Sequence, residues 1–206
     1  MRNATAFTLI ELLAVMSITS VLLVMGVTAG RSVVERSHCT KCLSNLRQVG
    51  IAVQLYTADN SARLPDTGHS RAADGSSLSW TNTLSAYLST NFIGRCPSRP
   101  KARTALTYGW NDLLTTPTGE GISLLACRSP ASTIAVAETA ESYTSEHFHF
   151  RGVRGRMTFN QFRSFVSVNQ HGSGANYLFV DGHAETLSAS EVQTRLNTPN
   201  TTFLQP

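Results

Sequence analysis

Three residues near the C-terminal end of the chain are of types that bind metal ions or transfer protons. His171, Asp181 and His183 lie close together in the sequence, and imidazole and carboxylate groups are common metal ligands. In the alternative interpretation, Asp181 and Gly182 form a tight turn while His171 caps or hydrogen-bonds a loop. Because this structural interpretation requires no missing ligand, the sequence favours it and predicts no metal and no other cofactor.

The cysteines are the next candidates for chemistry. Cys39 and Cys42 have redox-motif spacing and share a helix face, but they lack the preceding strand of a thioredoxin-like site and the following histidine of a haem attachment site. In an oxidising compartment, four cysteines allow three complete pairings. The leading pairing joins Cys39 to Cys42 and Cys96 to Cys127, and buried thiols or a Cys42–Cys96 bridge are the alternatives. No serine, histidine and acid constellation surrounds a nucleophile motif, so catalysis is not predicted.

Arginines alternate with aromatic residues in the segment HFHFRGVRGRMTFNQFRSF, residues 147–165. The arginines are Arg151, Arg154, Arg156 and Arg163. This composition suits phosphate attraction and base stacking, and it supports DNA binding as an alternative function. The other interpretation is a solvated loop or edge strand whose phenylalanines enter the core. The net charge of +4 is spread over most of the chain and does not by itself indicate nucleic-acid binding.

The elements that position these residues begin with an apolar N-terminal segment. A chain of 206 residues with 41% hydrophobic and 15% charged residues is neither disordered nor a polytopic membrane protein. Residues 7–30 suffice for a helix of about 36 Å, which exceeds the hydrocarbon thickness of about 30 Å. Glu11 is the only charged residue in that stretch. A carboxylate in a membrane helix requires a partner.

Residues 31–58 form the second predicted element, an amphipathic helix. Its apolar positions recur at steps of three and four residues: Cys39, Cys42, Leu43, Leu46, Val49, Gly50, Val53 and Tyr56. No proline precedes Pro65, so both segments can join in one helix of about fifty residues. The apolar face of the second half requires a partner surface.

Residues 59–206 are punctuated by Asp, Ser, Gly and Pro and predict short elements separated by loops. The clearest signal is HGSGANYLFVDGHAETL, residues 171–187. Here residues 176–180 predict a strand, Asp181 and Gly182 favour a type I′ turn, and residues 183–187 return alongside.

Two motifs resemble those of a known family. The run FTLIELL, residues 7–13, follows a short leader and resembles the signature of type IV prepilins and type II secretion pseudopilins. His171 stands ten residues before Asp181-Gly182, which resembles the H-x9-DG element at the C-terminal end of a large group of prepilin-like proteins. Three further segments resemble that group: residues 42–50, 56–60 and 96–98.

The resemblance implies how the N-terminus is processed. Prepilin peptidase would cut between Ala6 and Phe7, and the new amino group of Phe7 would be methylated. The family usually has glycine where this chain has Ala6. Glu11 would then pair with the amino group of Phe7 in a neighbouring subunit, so that neither charge stands alone in lipid.

The resemblance also implies a fold, partners and a location. The expected fold is α+β and pilin-like: a leader (1–6), a transmembrane and filament-core helix (7–30), an amphipathic helix (31–58) and a head (59–206) with an antiparallel sheet. Expected partners are prepilin peptidase, other pilin or pseudopilin subunits, an inner-membrane assembly platform, and lipid before assembly. The protein would be a single-pass protein of the bacterial inner membrane with its head outside the cytoplasm, and then part of a periplasmic or extracellular filament.

A different class of protein is the competing hypothesis. An ordinary secretory signal would use the same apolar run and the small residues 27–29 as its cleavage site. The product, cut after Ala29, would be a secreted binding or enzymatic domain. That hypothesis leaves Glu11 unexplained.

Overall fold

The computed structural model describes residues 8–68, 79–88, 94–99, 102, 104, 106–172 and 174–206. Its α-helices are α1 (Leu9–Asp59), α2 (Trp80–Thr83), α3 (Phe159–Phe165) and α4 (Ala189–Asn197). Its strands are β1 (Tyr108–Asn111), β2 (Ile134–Glu138), β3 (His147–Phe148), β4 (Gly174–Phe179) and β5 (Ala184–Ser188). The chain divides into two compact units, Met1–Ser37 and His38–Pro206.

The second unit contains a five-stranded sheet in the order β3-β1-β2-β4-β5. The pairs β1–β2, β2–β4 and β4–β5 are antiparallel, whereas β1–β3 is parallel. After β2 the chain reverses direction, and β3 pairs with the edge of β1 that faces away from β2. Because β1 and β2 are antiparallel, β3 therefore runs parallel to β1. The predicted α+β class with a long N-terminal helix is confirmed, and the sheet is mixed rather than antiparallel throughout.

The two faces of the sheet are covered by different cores. On one face the second half of α1 buries Cys42, Leu46, Val49 and Val53 against the sheet and both tryptophans. This is the partner surface that the amphipathic pattern required. The opposite face carries a second, phenylalanine-rich core, to which α4 contributes Val192 and Leu196. The sequence analysis did not predict this second layer.

The hairpin between β4 and β5 lies where it was predicted, but its turn differs from the predicted type I′ turn. Leu178 pairs with Ala184, the Gly182 N–H donates to the Phe179 carbonyl at 3.0 Å, and the Phe179 N–H donates to the His183 carbonyl at 2.9 Å. In the three-residue loop only Gly182 has a positive φ, +92°. This pattern is a type I turn closed by a glycine bulge.

Gly50 lies where α1 meets this hairpin. A Cβ atom at Gly50 would stand 2.6 Å from the Gly182 carbonyl oxygen and 2.9 Å from Leu178 Cδ1. The helix therefore approaches the hairpin at a distance that no larger residue allows.

We expect Gly50→Ala to lower the free energy of unfolding by about 1–3 kcal/mol, because overpacking outweighs the helix-propensity gain of about 1 kcal/mol. Denaturant titration of the detergent-purified chain, followed by near-UV circular dichroism, measures the change. Gly152→Ala is the control, since a Cβ at that position has no atom within 4 Å. Equal stability of the two variants would contradict the assigned contact.

Candidate functional site

The start of α1 has the properties of a membrane span. The window Leu9–Gly26 has a mean hydropathy of 2.2, and none of it is buried within the chain. Leu9 is 81% exposed and Ile10 is 75% exposed. In a soluble protein, a core helix of similar length would have most of its residues buried by the rest of the chain. The apolar surface of this window therefore requires lipid or other chains.

Glu11 closes the N-terminal end of this helix. Its Oε2 accepts hydrogen bonds from the Thr8 N–H at 2.9 Å and from the Thr8 hydroxyl at 2.7 Å. The Glu11 N–H donates to Thr8 Oγ1 at 3.4 Å. This reciprocal arrangement is a capping box, which the sequence analysis did not recognise in FTLIELL. Ala6 and Phe7 lie outside the described residues, so their processing and the pairing of Glu11 with Phe7 remain predictions.

His171 lies in a buried cluster that draws on four parts of the second unit. Cys42 comes from α1, Cys96 from residues 94–99, Glu138 from the end of β2, and His171 from the residues before β4. The ligand atoms of these four side chains all lie within 4.8 Å of one another. His171 Nε2 is 2.8 Å from Glu138 Oε1 and 3.6 Å from Cys96 Sγ. The Glu138 side chain is 0% exposed and that of His171 is 1% exposed.

The cluster shifts the pKa values of its members in different directions. A hydrogen bond with Cys96, together with burial, raises the pKa of the Cys42 thiol. Hydrogen bonds from Cys42 and His171 outweigh burial and lower the pKa of Cys96 to about 6. Burial alone would lower the pKa of His171, but hydrogen bonds and charges at Cys96 and Glu138 raise it to about 11. Both of these last two shifts favour a Cys96 thiolate beside a His171 imidazolium.

Outer contacts orient the cluster. The second ring nitrogen of His171, Nδ1, lies 3.3 Å from the Ser98 hydroxyl. Glu138 Oε2 accepts the backbone N–H of Asn176 at 2.9 Å. The Asn176 side chain in turn donates to the Cys39 carbonyl at 3.3 Å and accepts the Thr186 hydroxyl at 2.6 Å. Both the imidazole and the carboxylate are thus held by partners outside the cluster.

Asp181 and His183 do not join His171. They lie in the exposed hairpin turn, where Asp181 Oδ1 accepts the His183 N–H at 3.1 Å and is 2.6 Å from His183 Nδ1. The carbonyl of Asp181 accepts a hydrogen bond from Gln54 Nε2 at 2.6 Å. The weak candidate metal set of His171, Asp181 and His183 is therefore not assembled. Glu138 and the two cysteines take the place of Asp181 and His183 beside His171.

All four cysteines are described, and none of them forms a disulfide. The leading pairing, Cys39–Cys42 with Cys96–Cys127, is not formed. Cys39 Sγ instead contacts Asn176 Oδ1 at 3.7 Å, while Cys42 lies beside Cys96. Cys39 and Cys42 are about one helix turn apart, but Cys39 faces Asn176 whereas Cys42 faces Cys96.

The arginines of the segment 147–165 do not form a single basic surface. The Arg151 guanidinium donates to the carbonyls of Asp112 and Thr115. The Arg156 guanidinium donates to the carbonyls of Leu196 and Thr198, at 2.6 and 2.8 Å through NH2. Phe150 and Phe162 enter the second core, as the structural interpretation of this segment required. Two of the four arginines therefore serve as internal hydrogen-bond donors.

Comparison with known proteins addresses the N-terminus. Residues 1–27 match the family model described as the prokaryotic N-terminal methylation motif. No curated protein and no solved structure shows a significant match to the chain. The motif and the unburied apolar helix are consistent with a type IV prepilin-like protein and suggest membrane anchoring. The matched family is structural rather than enzymatic.

Glu138 is the functional residue that the sequence analysis missed. It ends the apolar run IAVAE of β2, and nothing local distinguishes it from a solvated residue at a strand end. Its partner His171 lies 33 residues further along the chain. No local signal could have identified Glu138, because its role depends on this distant partner.

Substitution of Gly182, the glycine of the H-x9-DG element, tests the contact between the hairpin turn and α1. A Cβ at Gly182 would stand 2.2 Å from Gln54 Nε2, whereas one at Gly155, which also has a positive φ of +76°, has no atom within 4 Å. Both Gly182→Ala and Gly155→Ala incur backbone strain of about 1–2 kcal/mol. We expect Gly182→Ala to destabilise by about 0.5–1.5 kcal/mol more, because the Gln54 side chain must swing away and loses its hydrogen bond to the Asp181 carbonyl.

Denaturant unfolding of these two variants, of Gln54→Ala and of Gly182→Ala combined with Gln54→Ala measures this difference. Because Gln54→Ala removes a hydrogen bond that Gly182→Ala has already broken, the double variant should be about as stable as Gly182→Ala alone. Additive effects of the two substitutions would show that Gly182 and Gln54 are not coupled.

Proposed function

We propose that the protein is a structural, non-enzymatic subunit of a type IV pilus-like or type II secretion-type filament. Prepilin peptidase cuts between Ala6 and Phe7, and the amino group of Phe7 is methylated. The first half of α1 is stored in the inner membrane and then packs among the helices of neighbouring subunits. The second unit, outside the cytoplasm, is the part that meets other partners.

One observation carries this proposal: Leu9–Gly26 is apolar and wholly unburied within the chain, and it lies within residues 1–27, which match the N-terminal methylation motif. A plain anchor would account for the apolar surface. It would not account for Glu11 near the start of the span.

Glu11 has a defined role in this proposal. In the isolated chain its carboxylate is held by Thr8 of the same helix. In a filament the methylated amino group of a neighbouring Phe7 offers a positive charge instead. Such a pair at about 4 Å contributes about 4 kcal/mol at an effective dielectric of about 20, before desolvation is subtracted. The capping box keeps the carboxylate hydrogen-bonded until that partner arrives.

A DNA-binding subunit for DNA uptake is the alternative within the same class. The structure favours it less than the sequence did, because the guanidinium groups of Arg151 and Arg156 are occupied by carbonyl oxygens. Binding of DNA by the detergent-purified chain is therefore expected to be weak, without the steep salt dependence of a protein that contacts many phosphates.

Mass spectrometry of the mature N-terminal peptide from the native host tests the processing. We expect a peptide that begins at N-methylated Phe7. A peptide that begins at Gly30 would instead establish an ordinary signal peptide and overturn the filament proposal. An uncleaved Met1 start would reduce the segment to a plain membrane anchor.

Replacement of Glu11 tests the assembly role. We expect Glu11→Gln to be cleaved and membrane-inserted but to be absent from sheared filaments, since glutamine cannot pair with the charged amino group. Immunoblotting of membrane and sheared fractions measures this. Thr8→Ala is the control, because it removes the capping hydroxyl and keeps the carboxylate. If both variants fail equally, capping rather than pairing between subunits is the role of Glu11.

A further inference from the structure

We propose that Cys42, Cys96, Glu138 and His171 form a structural zinc site in the second unit. Among the described residues they are the one group of three or more Cys, His, Asp or Glu side chains positioned to share an ion. All four residues are buried. This inference goes beyond the filament role and does not depend on it, because all four ligands lie in the unit His38–Pro206.

The geometry is close to that of a tetrahedral ion. Zinc–sulfur bonds of about 2.3 Å and zinc–nitrogen or zinc–oxygen bonds of about 2.0–2.2 Å place tetrahedral ligand atoms about 3.3–3.8 Å apart. His171 Nε2 and Cys96 Sγ are already 3.6 Å apart. His171 Nε2 and Glu138 Oε1, at 2.8 Å, must separate by about half an ångström as coordination replaces their hydrogen bond.

The donor set selects the metal. Two thiolates with an imidazole and a carboxylate match tetrahedral Zn²⁺, whereas Ca²⁺ and Mg²⁺ require more oxygen ligands. On binding, Cys42 releases its thiol proton and His171 releases its imidazolium proton, and the neutral imidazole coordinates through Nε2. Four protein ligands leave no open position for water, which identifies the site as structural rather than catalytic.

The surrounding contacts are those of a built metal site. Metal-bound histidine usually engages its second ring nitrogen with a hydrogen-bond partner, and His171 Nδ1 faces the Ser98 hydroxyl at 3.3 Å. The second oxygen of Glu138 is fixed by the Asn176 N–H at 2.9 Å. These partners aim Nε2 and Oε1 into the cluster before any ion arrives.

The ion would join parts of the chain that are far apart in sequence. Cys42 belongs to α1, Cys96 to residues 94–99, Glu138 to β2, and His171 to the residues before β4. The zinc would fasten the second half of α1 and the segment around Cys96 to the central strands. It would also bring a counter-charge to the buried Glu138 carboxylate.

Metal content is the first measurement. The full chain is purified from host membranes in mild detergent with a phosphine reductant and no chelator, and zinc is quantified by inductively coupled plasma mass spectrometry. We expect one zinc per chain. After removal of the metal, Co²⁺ should restore the site with a thiolate-to-cobalt charge-transfer band and the visible absorption of tetrahedral cobalt. Zinc should also raise the thermal midpoint of the metal-free chain.

Variants assign the ligands. Cys96→Ser and His171→Gln should weaken zinc binding more than 100-fold, and Ser98→Ala, which only positions His171, by roughly 10- to 100-fold. Cys127→Ser is the matched control, because Cys127 is a buried thiol outside the cluster, and it should keep one zinc. The cobalt charge-transfer band reports ligation even where a variant is less stable.

Three results would overturn the proposal. One is a native chain that holds no zinc and takes up none when zinc is added. Another is a Cys42–Cys96 disulfide in the alkylated, unreduced native protein, because oxidised sulfurs cannot act as thiolate ligands. The third is zinc that persists in both Cys96→Ser and His171→Gln. None of these results bears on whether the chain enters filaments.

Discussion

The carboxylate of Glu138 is the constraint around which the second unit is arranged. It has no exposed surface, and an uncompensated buried carboxylate costs several kcal/mol. Compensation comes from His171 and from the backbone of Asn176, so β4 must pair with β2 in one register and His171 must enter the interior just before β4 begins. A slip of one residue would move the Asn176 N–H away from Glu138 and leave Oε2 without that hydrogen bond.

This constraint also gives a physical meaning to the H-x9-DG spacing. His171 meets Cys42 of α1 within the cluster, and the far end of the element meets Gln54 of α1 through the Asp181 carbonyl. Cys42 and Gln54 are separated by about 18 Å along a helix, and a six-residue strand such as β4 spans about 20 Å. One strand therefore fits between the two contacts. His171 makes the contact with α1 at one end of β4, and the Asp181-Gly182 turn makes the contact at the other end.

The sequence predicted those features that depend on local pattern. The apolar and amphipathic halves of α1 and the hairpin of residues 176–187 follow from periodicity and turn residues. The predicted turn type was wrong because the hydrogen bond between Phe179 and His183 leaves three loop residues, which only the paired strands reveal. The helices α3 and α4 were overlooked although Thr158 with Gln161, and Ser188 with Glu191, form capping boxes. The cluster around Glu138 depends on pairs more than thirty residues apart, and no local pattern encodes them.

The magnitudes clarify what Glu11 contributes in the proposed filament. Twelve large apolar side chains of Leu9–Gly26 are exposed in the chain, and covering them represents roughly 20–35 kcal/mol relative to water. Lipid already covers them before assembly, so transfer from lipid into a helical core exchanges one apolar environment for another, and the hydrophobic contribution largely cancels. What remains to favour assembly is side-chain packing and polar pairing. A Glu11 pair, worth about 4 kcal/mol before desolvation is subtracted, is a substantial part of that remainder. A slipped register would leave the carboxylate without its partner, at a cost below the about 2.5–3.5 kcal/mol of the bilayer centre because Glu11 lies near the start of the span, so the pair determines which register is populated.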